Sequence, residues 1–161
     1  MPSESAGEAT SAVAIRRAYP ADEAVAWEIV EEYNRAVDVA IPDSPDGFRA
    51  YLAGPGAMWL AETAGGAAGC VVLRALDEIE EAACEVKRLY VRPAHRGRRI
   101  AGALMDALED HARSAGYAWA YLDSKVDLEA AIRFYRARGY KEIERYNDNP
   151  QATIFMRRRL R

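Results

Sequence analysis

Apolar and polar positions follow two rhythms along this chain. Where apolar residues come every second position the spacing predicts strands, and where they recur at three and four it predicts helices. Residues 12–18 (AVAIRRA) read as a short first strand, broken by Tyr19-Pro20. Ala26, Ile29, Val30, Tyr33 and Val37 then share one stripe, so 22–37 is predicted as an amphipathic helix with Asp22 as its cap. Ser44 or Asp46 opens a shorter helix through Phe48, Tyr51 and Leu52, closed by Gly54-Pro55-Gly56. Strands are predicted at 58–63 and 69–76, with a tight hairpin at Gly65-Gly66. An acidic turn, 77–81, leads to the strand 84–92, which Pro93 ends. The clearest helix is 100–115: Ile100, Ala103, Leu104, Ala107, Leu108, Ala112 and Ala115 form its stripe, and Gly116 stands just past it. A strand at 118–123, a helix at 128–138 closed by Gly139, and strands at 140–146 and 152–160 complete the chain.

That order predicts a mixed α/β (α+β) fold, with about seven strands in a mostly antiparallel sheet and about four flanking helices. Strands 84–92 and 118–123 are joined through a helix, so they are expected to run parallel. One domain over 12–161 is expected after a disordered tail at 1–11, which is rich in Pro, Ser, Gly and Glu. The totals agree with a single globular domain: 161 residues, 50% apolar and 29% charged. A net charge of −3 argues against nucleic acid as the main partner. No apolar run approaches the ~20 residues of a membrane span, and residues 1–11 lack the features of a secretory signal. A cytoplasmic protein is therefore expected. Cys70 and Cys84 lie in apolar stretches and read as buried free thiols. His and Cys are too few and too scattered for a metal site, so no metal is expected.

The chemistry concentrates in 84–112: a strand (CEVKRLYVRP), a basic loop (AHRGRRI) and the long helix. A helix N-terminus carries unpaired N–H groups and partial positive charge, and so attracts phosphates. Arg96, Arg98 and Arg99 stand beside that terminus, and Gly97 lets backbone approach closely. The strand has a parity break. Cys84 and Val86 share one face, whereas Leu89 and Val91 fall on the other. Either one extra residue near Lys87–Arg88 forms a β-bulge that reunites the pairs, or the strand is buried on both faces.

This stretch resembles the core of the GCN5-related N-acetyltransferase (GNAT) family. The family's phosphate loop reads Arg or Gln, two residues, Gly, one residue, then Gly or Ala; here Arg96 and Ala101 fit, and Arg99 stands at the usual Gly. AAIRFYRARGY resembles the family's second cofactor motif, with Leu128 where Asn is frequent. YNDNP and FMRRRL resemble the ends of a bacterial subset. The resemblance implies that the parallel strands splay and admit acetyl-CoA. It implies that bulged backbone at Leu89, Tyr90 and Val91 holds the pantetheine arm. It further implies that Arg96, Gly97, Arg98, Arg99, Ile100, Ala101 and Gly102 hold the pyrophosphate. On spacing alone Tyr135, which lies on the apolar stripe of its helix, reads as a packing residue; the resemblance reverses this and implies that Tyr135 hydrogen-bonds the CoA sulfur and protonates it.

Acyl transfer from a thioester to an amine needs a neutral amine, a polarised carbonyl and a proton for the thiolate. Glu85 is opposite in parity to Cys84 and Val86, so it is a candidate base; the other reading pairs it with Lys87 at the surface. Asp123 is the second candidate. The resemblance places the acceptor near Tyr33, Asp38, Asp43, Asp46, Asp123, Tyr146 and Asn149, whose acidic bias suits a cationic amine; the alternative for each is solvent. His111 reads as a packed histidine, and the terminal arginine run as a solvated end. The expected function is acetyl transfer from acetyl-CoA to a primary amine of a small molecule or peptide, directly within a ternary complex. No cysteine stands where an acyl intermediate would need it. The alternative is a CoA-binding sensor without turnover. A homodimer is an expectation of the resemblance alone.

Overall fold

The computed structural model describes residues 12–79 and 81–161, and the tail expected at 1–11 lies outside them. Seven strands form one sheet: β1 (Ala14–Arg17), β2 (Ala57–Thr63), β3 (Gly66–Ala75), β4 (Ala83–Val91), β5 (Trp119–Ser124), β6 (Lys141–Ile143) and β7 (Ile154–Arg159). Their spatial order is β1-β2-β3-β4-β5-β7-β6, and the β4–β5 pair alone is parallel. The helices are α1 (Glu23–Ala36), α2 (Pro45–Ala53), α3 (Ile100–Ser114) and α4 (Glu129–Ala137).

The helix stripes decide which sheet face each covers. Ile100, Leu104, Met105, Leu108 and Ala112 of α3 and Ile132 of α4 pack with Trp59, Val71, Leu73, Val86 and Leu122. Ala26, Ile29 and Val30 of α1 and Phe48 and Leu52 of α2 pack on the opposite face with Met58, Leu60, Cys70 and Val72. Alternation along β2 and β3 feeds both cores, which is why these strands read as nearly continuous apolar runs.

The parity break in β4 is a bulge. Cys70 pairs with Tyr90 and Val72 with Lys87, so a two-residue step on β3 faces a three-residue step on β4. Arg88 within that step has a left-handed φ of 56°. Cys84, Val86, Leu89 and Val91 consequently all meet the α3 core, while Tyr90 joins the other one. Gly69 is needed there: a Cβ on it would lie 2.6 Å from the Tyr90 carbonyl oxygen. Splay follows directly. Only Ala83, Cys84 and Glu85 pair with β5, and past Glu85 the two strands part.

Two expectations need correction. Asp22 does not cap α1 with its side chain; it accepts the Tyr19 N–H (2.9 Å) and closes a 3-10 turn at Pro20–Asp22. The last hairpin is shorter than 140–146 against 152–160. β6 spans three residues, because Asn147 and Asn149 turn their side chains onto the N–H groups of Asn149 (3.0 Å) and Gln151 (3.1 Å). Such local bonds compete with a strand ladder.

Candidate active site

Where β4 and β5 part, a cleft of about 1710 Å³ opens. Small-molecule pockets are usually ~300–1,000 Å³, so this one suits an extended ligand or two ligands side by side. One end is the N-terminus of α3; the other is roofed by residues 36, 37, 39–41 and 147–152.

The α3 end has the donors and the charge that suit an anion. Gly97 (φ 79°) and Arg99 (φ 60°) are both left-handed, so Arg99 keeps the backbone turn that a glycine adopts easily. Arg99 is the N-cap and supplies no side-chain cap. The Ala103 N–H bonds the Arg99 carbonyl (3.2 Å). The N–H groups of Ile100, Ala101 and Gly102 have no acceptor among the described residues, and all three line the cleft with Arg96, Gly97 and Arg99. Arg96 folds back to donate to the Val91 carbonyl (3.1 Å). Arg98 is outside the lining, with its Nη1 3.3 Å from His95 Nδ1.

Leu89, Tyr90 and Val91 line the middle of the cleft, and Arg88 and Leu89 face no β3 residue in the ladder. The Arg88 carbonyl accepts from the Cys70 thiol (3.2 Å), and the bulge takes the Leu89 backbone out of the ladder beside the cleft. Tyr135 lines the same region, its ring edge-on to Phe134 (5.5 Å) and Tyr140 (5.8 Å). Its hydroxyl has no hydrogen-bond partner among the described residues. Burial, with Tyr33 and Asp123 close by, pushes its pKa well above the ordinary tyrosine value.

At the far end two carboxylates share one network. Glu85, buried, accepts from Arg74 Nε (3.2 Å), Tyr146 Oη (2.8 Å) and Asn147 Nδ2 (3.4 Å). Asp123 accepts from Asn147 Nδ2 (2.7 Å) and Asn149 Nδ2 (3.3 Å). The Glu85–Lys87 surface pair does not form: Arg74 is the residue opposite Glu85 in the β3–β4 register. Tyr146 stands behind the lining, and burial beside Glu85 raises its pKa strongly. Tyr33 lines the cleft, with the Arg88 guanidinium 5.7 Å from its ring centre.

The other acidic candidates divide. Asp43 lines the cleft but is committed to Arg88 Nε (3.1 Å) and the Tyr51 hydroxyl (3.0 Å). Asp46 is on the outer side of α2, 97% exposed and paired with Arg49. Asp38 is outside the lining; its carbonyl accepts from Gln151 Nε2 (2.7 Å). His111 packs its ring 5.2 Å from that of Trp59, where burial lowers its pKa. Sequence reasoning missed Lys87, Arg88, Arg74 and Asn147 as cleft residues. Parity held the signal for Lys87, which shares a face with Glu85 ahead of the bulge. Among the described residues no group of three His, Cys, Asp or Glu side chains could hold a metal ion, and no helix is long and apolar enough to cross a membrane.

The profile of the acetyltransferase (GNAT) family matches residues 19–140. The chain belongs to the GNAT family. An N-acetyltransferase of Schizosaccharomyces pombe is 35% identical over 94 residues, 58% of this chain and 56% of the relative, so this chain spans little more than half of that protein. The IAA acetyltransferase of Azospirillum brasilense is 31% identical over 92% of this chain and 98% of its own. Among solved structures, yncA of Salmonella typhimurium, an acetyltransferase with its cofactor acetyl-CoA, superposes with a TM-score of 0.73 at 23% identity. That match covers 94% of this chain and 95% of yncA, and it establishes the shared fold. The seven-stranded, mostly antiparallel sheet with its single parallel pair and four helices is thus a GNAT fold.

Proposed function

We propose that this GNAT protein transfers the acetyl group of acetyl-CoA to a primary amine of a small molecule or peptide, by direct attack in a ternary complex. The observation that carries this reading is continuity. One cleft runs from the uncapped N-terminus of α3, past the bulge, to the Tyr135 hydroxyl and on to the Glu85–Asp123 network. Acetyl-CoA supplies the activated acetyl thioester. The residues suit its parts. The amides of Ile100, Ala101 and Gly102, with Arg96 and Arg99, would hold the pyrophosphate. Backbone around Leu89 and Tyr90 would bind the pantetheine arm and polarise the thioester carbonyl.

Tyr135 would donate a hydrogen bond to the departing sulfur. Its raised pKa keeps it protonated at any working pH. It also makes complete transfer to a thiolate of pKa about 8.5 uphill. Tyr135 therefore acts chiefly as a hydrogen-bond donor that stabilises the developing negative charge; as the C–S bond breaks, the proton lost by the newly acylated nitrogen goes through water to the thiolate, leaving amide and free thiol. Glu85 and Asp123 draw the ammonium toward the carbonyl, and water at their network carries its proton away. Both thiols, Cys70 and Cys84, are fully buried and outside the lining, so neither can carry the acetyl group and ping-pong transfer has no nucleophile there.

The test is initial-rate kinetics of thiol release from acetyl-CoA across a panel of amines. Intersecting double-reciprocal lines with at least one amine are expected. Tight CoA binding with no thiol release from any amine would instead make the protein a non-catalytic CoA sensor.

A further inference from the structure

In the acceptor half of the cleft a carboxylate and an ammonium are each left without an ion-pair partner among the described residues: Asp123 accepts only from the Asn147 and Asn149 amides, and Lys87 pairs with nothing. Arg88 is paired with Asp43, and Tyr51 takes the second oxygen of that carboxylate. Arg74 is paired with Glu85 and Glu78. Lys87, between these pairs on β4, lines the cleft and has neither a hydrogen bond nor an ion pair among the described residues. Burial and the nearby Arg88 work against its charge, and Asp43 and Glu85 only partly offset them. A half-buried ammonium flanked by two guanidinium groups already paired elsewhere is complementary to an anion.

Position says which part of the reaction that anion belongs to. Lys87 precedes the bulge, whereas the phosphate-binding turn lies beyond it and past the end of β4. Lys87 and Glu85 leave the same face of β4, with Cα atoms about 7 Å apart. A carboxylate that attracts an amine and an ammonium that attracts an anion therefore stand side by side on the acceptor wall. We propose that Lys87 binds a carboxylate of the acceptor, so that the acceptor is an amino acid or similar aminocarboxylate, its amine toward Glu85 and Asp123 and its carboxylate on Lys87. This rests on the acetyltransferase reading above and narrows it: polyamines and aminoglycosides, which lack the anion, are disfavoured by the unpaired lysine.

The experiment compares free L-amino acids with their carboxamides, and with spermidine and kanamycin, in the thiol-release assay. Wild type, Lys87→Met and Lys87→Arg are measured. The free acid is expected to exceed its amide in kcat/KM. Lys87→Met is expected to raise KM for the acid by about 10- to 100-fold, the scale of a lost hydrogen bond to a charged group. It should leave KM for acetyl-CoA within about twofold and collapse the acid-to-amide ratio toward one. Lys87→Arg should restore part of that ratio, which a merely structural lysine would not do. If amides, spermidine or kanamycin are used as well as the acids, or if Lys87→Met leaves the ratio intact, the aminocarboxylate assignment fails while the acetyltransferase reading stands. If no amine of any class releases thiol, both fail together.

Discussion

Replacing Tyr135 by Phe isolates one hydroxyl. The ring contacts with Phe134 and Tyr140 are retained, and no internal hydrogen bond is lost, because the hydroxyl has no partner among the described residues. Stability should therefore change by less than about 0.5 kcal/mol, as for substitutions that break no contact. Activity should not be spared. A hydrogen bond to a charged group contributes about 1.5–3 kcal/mol, so removing the donor from the developing thiolate should lower kcat by about 10- to 150-fold. Because burial raises this tyrosine's pKa, the group stays protonated across the working range. The wild-type kcat profile should then show no tyrosine limb below about pH 10, where an ordinary tyrosine titrates. Thiol release at saturating acetyl-CoA and one fixed amine measures kcat, and thermal unfolding checks the fold. A variant with kcat within threefold of wild type, at unchanged melting temperature, would refute the donor role.

Three further outcomes follow from contacts outside the cleft. Glu109 is 1% exposed and holds Arg138, Arg158 and the Tyr140 hydroxyl together; Glu109→Leu should cost about 3 kcal/mol in urea unfolding, and a loss below about 1 kcal/mol would contradict that. The Arg16 guanidinium beside Asp22 holds its carboxyl at about 2, below its ordinary 3.8. A depressed folded pKa means that this stabilisation is complete above pH 3.8 and is lost as pH falls through 2. Asp22→Asn should accordingly flatten the acid limb of a stability-against-pH curve, and an unchanged limb would exclude the linkage. Burial pushes both Cys70 and Cys84 thiols up to about 12, so an aromatic disulfide reagent at pH 8 should label neither in the folded protein and both in denaturant.

How much of this was legible in the sequence depended on whether the cause was local. The α3 stripe from Ile100 to Ala112 and the glycines that end helices fix elements through their neighbours in sequence, and the structure has them within a few residues. The parity of Cys84, Val86, Leu89 and Val91 left two solutions open, since only the register against β3 counts the extra residue. Arg99 could be placed at the loop, but its left-handed backbone is a property of the folded turn. Partners of charged groups were least legible. Glu85 faces Arg74 because of strand register, and Asp43 meets Arg88 across 45 residues of chain. The Asn147 and Asn149 side chains that draw Glu85 and Asp123 together also shorten β6, a competition that no strand pattern encodes.

In the proposed complex one cleft binds coenzyme A by its phosphates at α3 and brings its thiol to Tyr135. Titrating coenzyme A into the 15N-labelled protein and following backbone amide resonances tests it most directly. Saturable shifts are expected at Gly97, Ile100, Ala101 and Gly102, together with Leu89 and Tyr90, with little change on the outer face of α2. Resonances of Ile100–Gly102 that stay still while coenzyme A binds, or shifts gathered elsewhere on the surface, would contradict it.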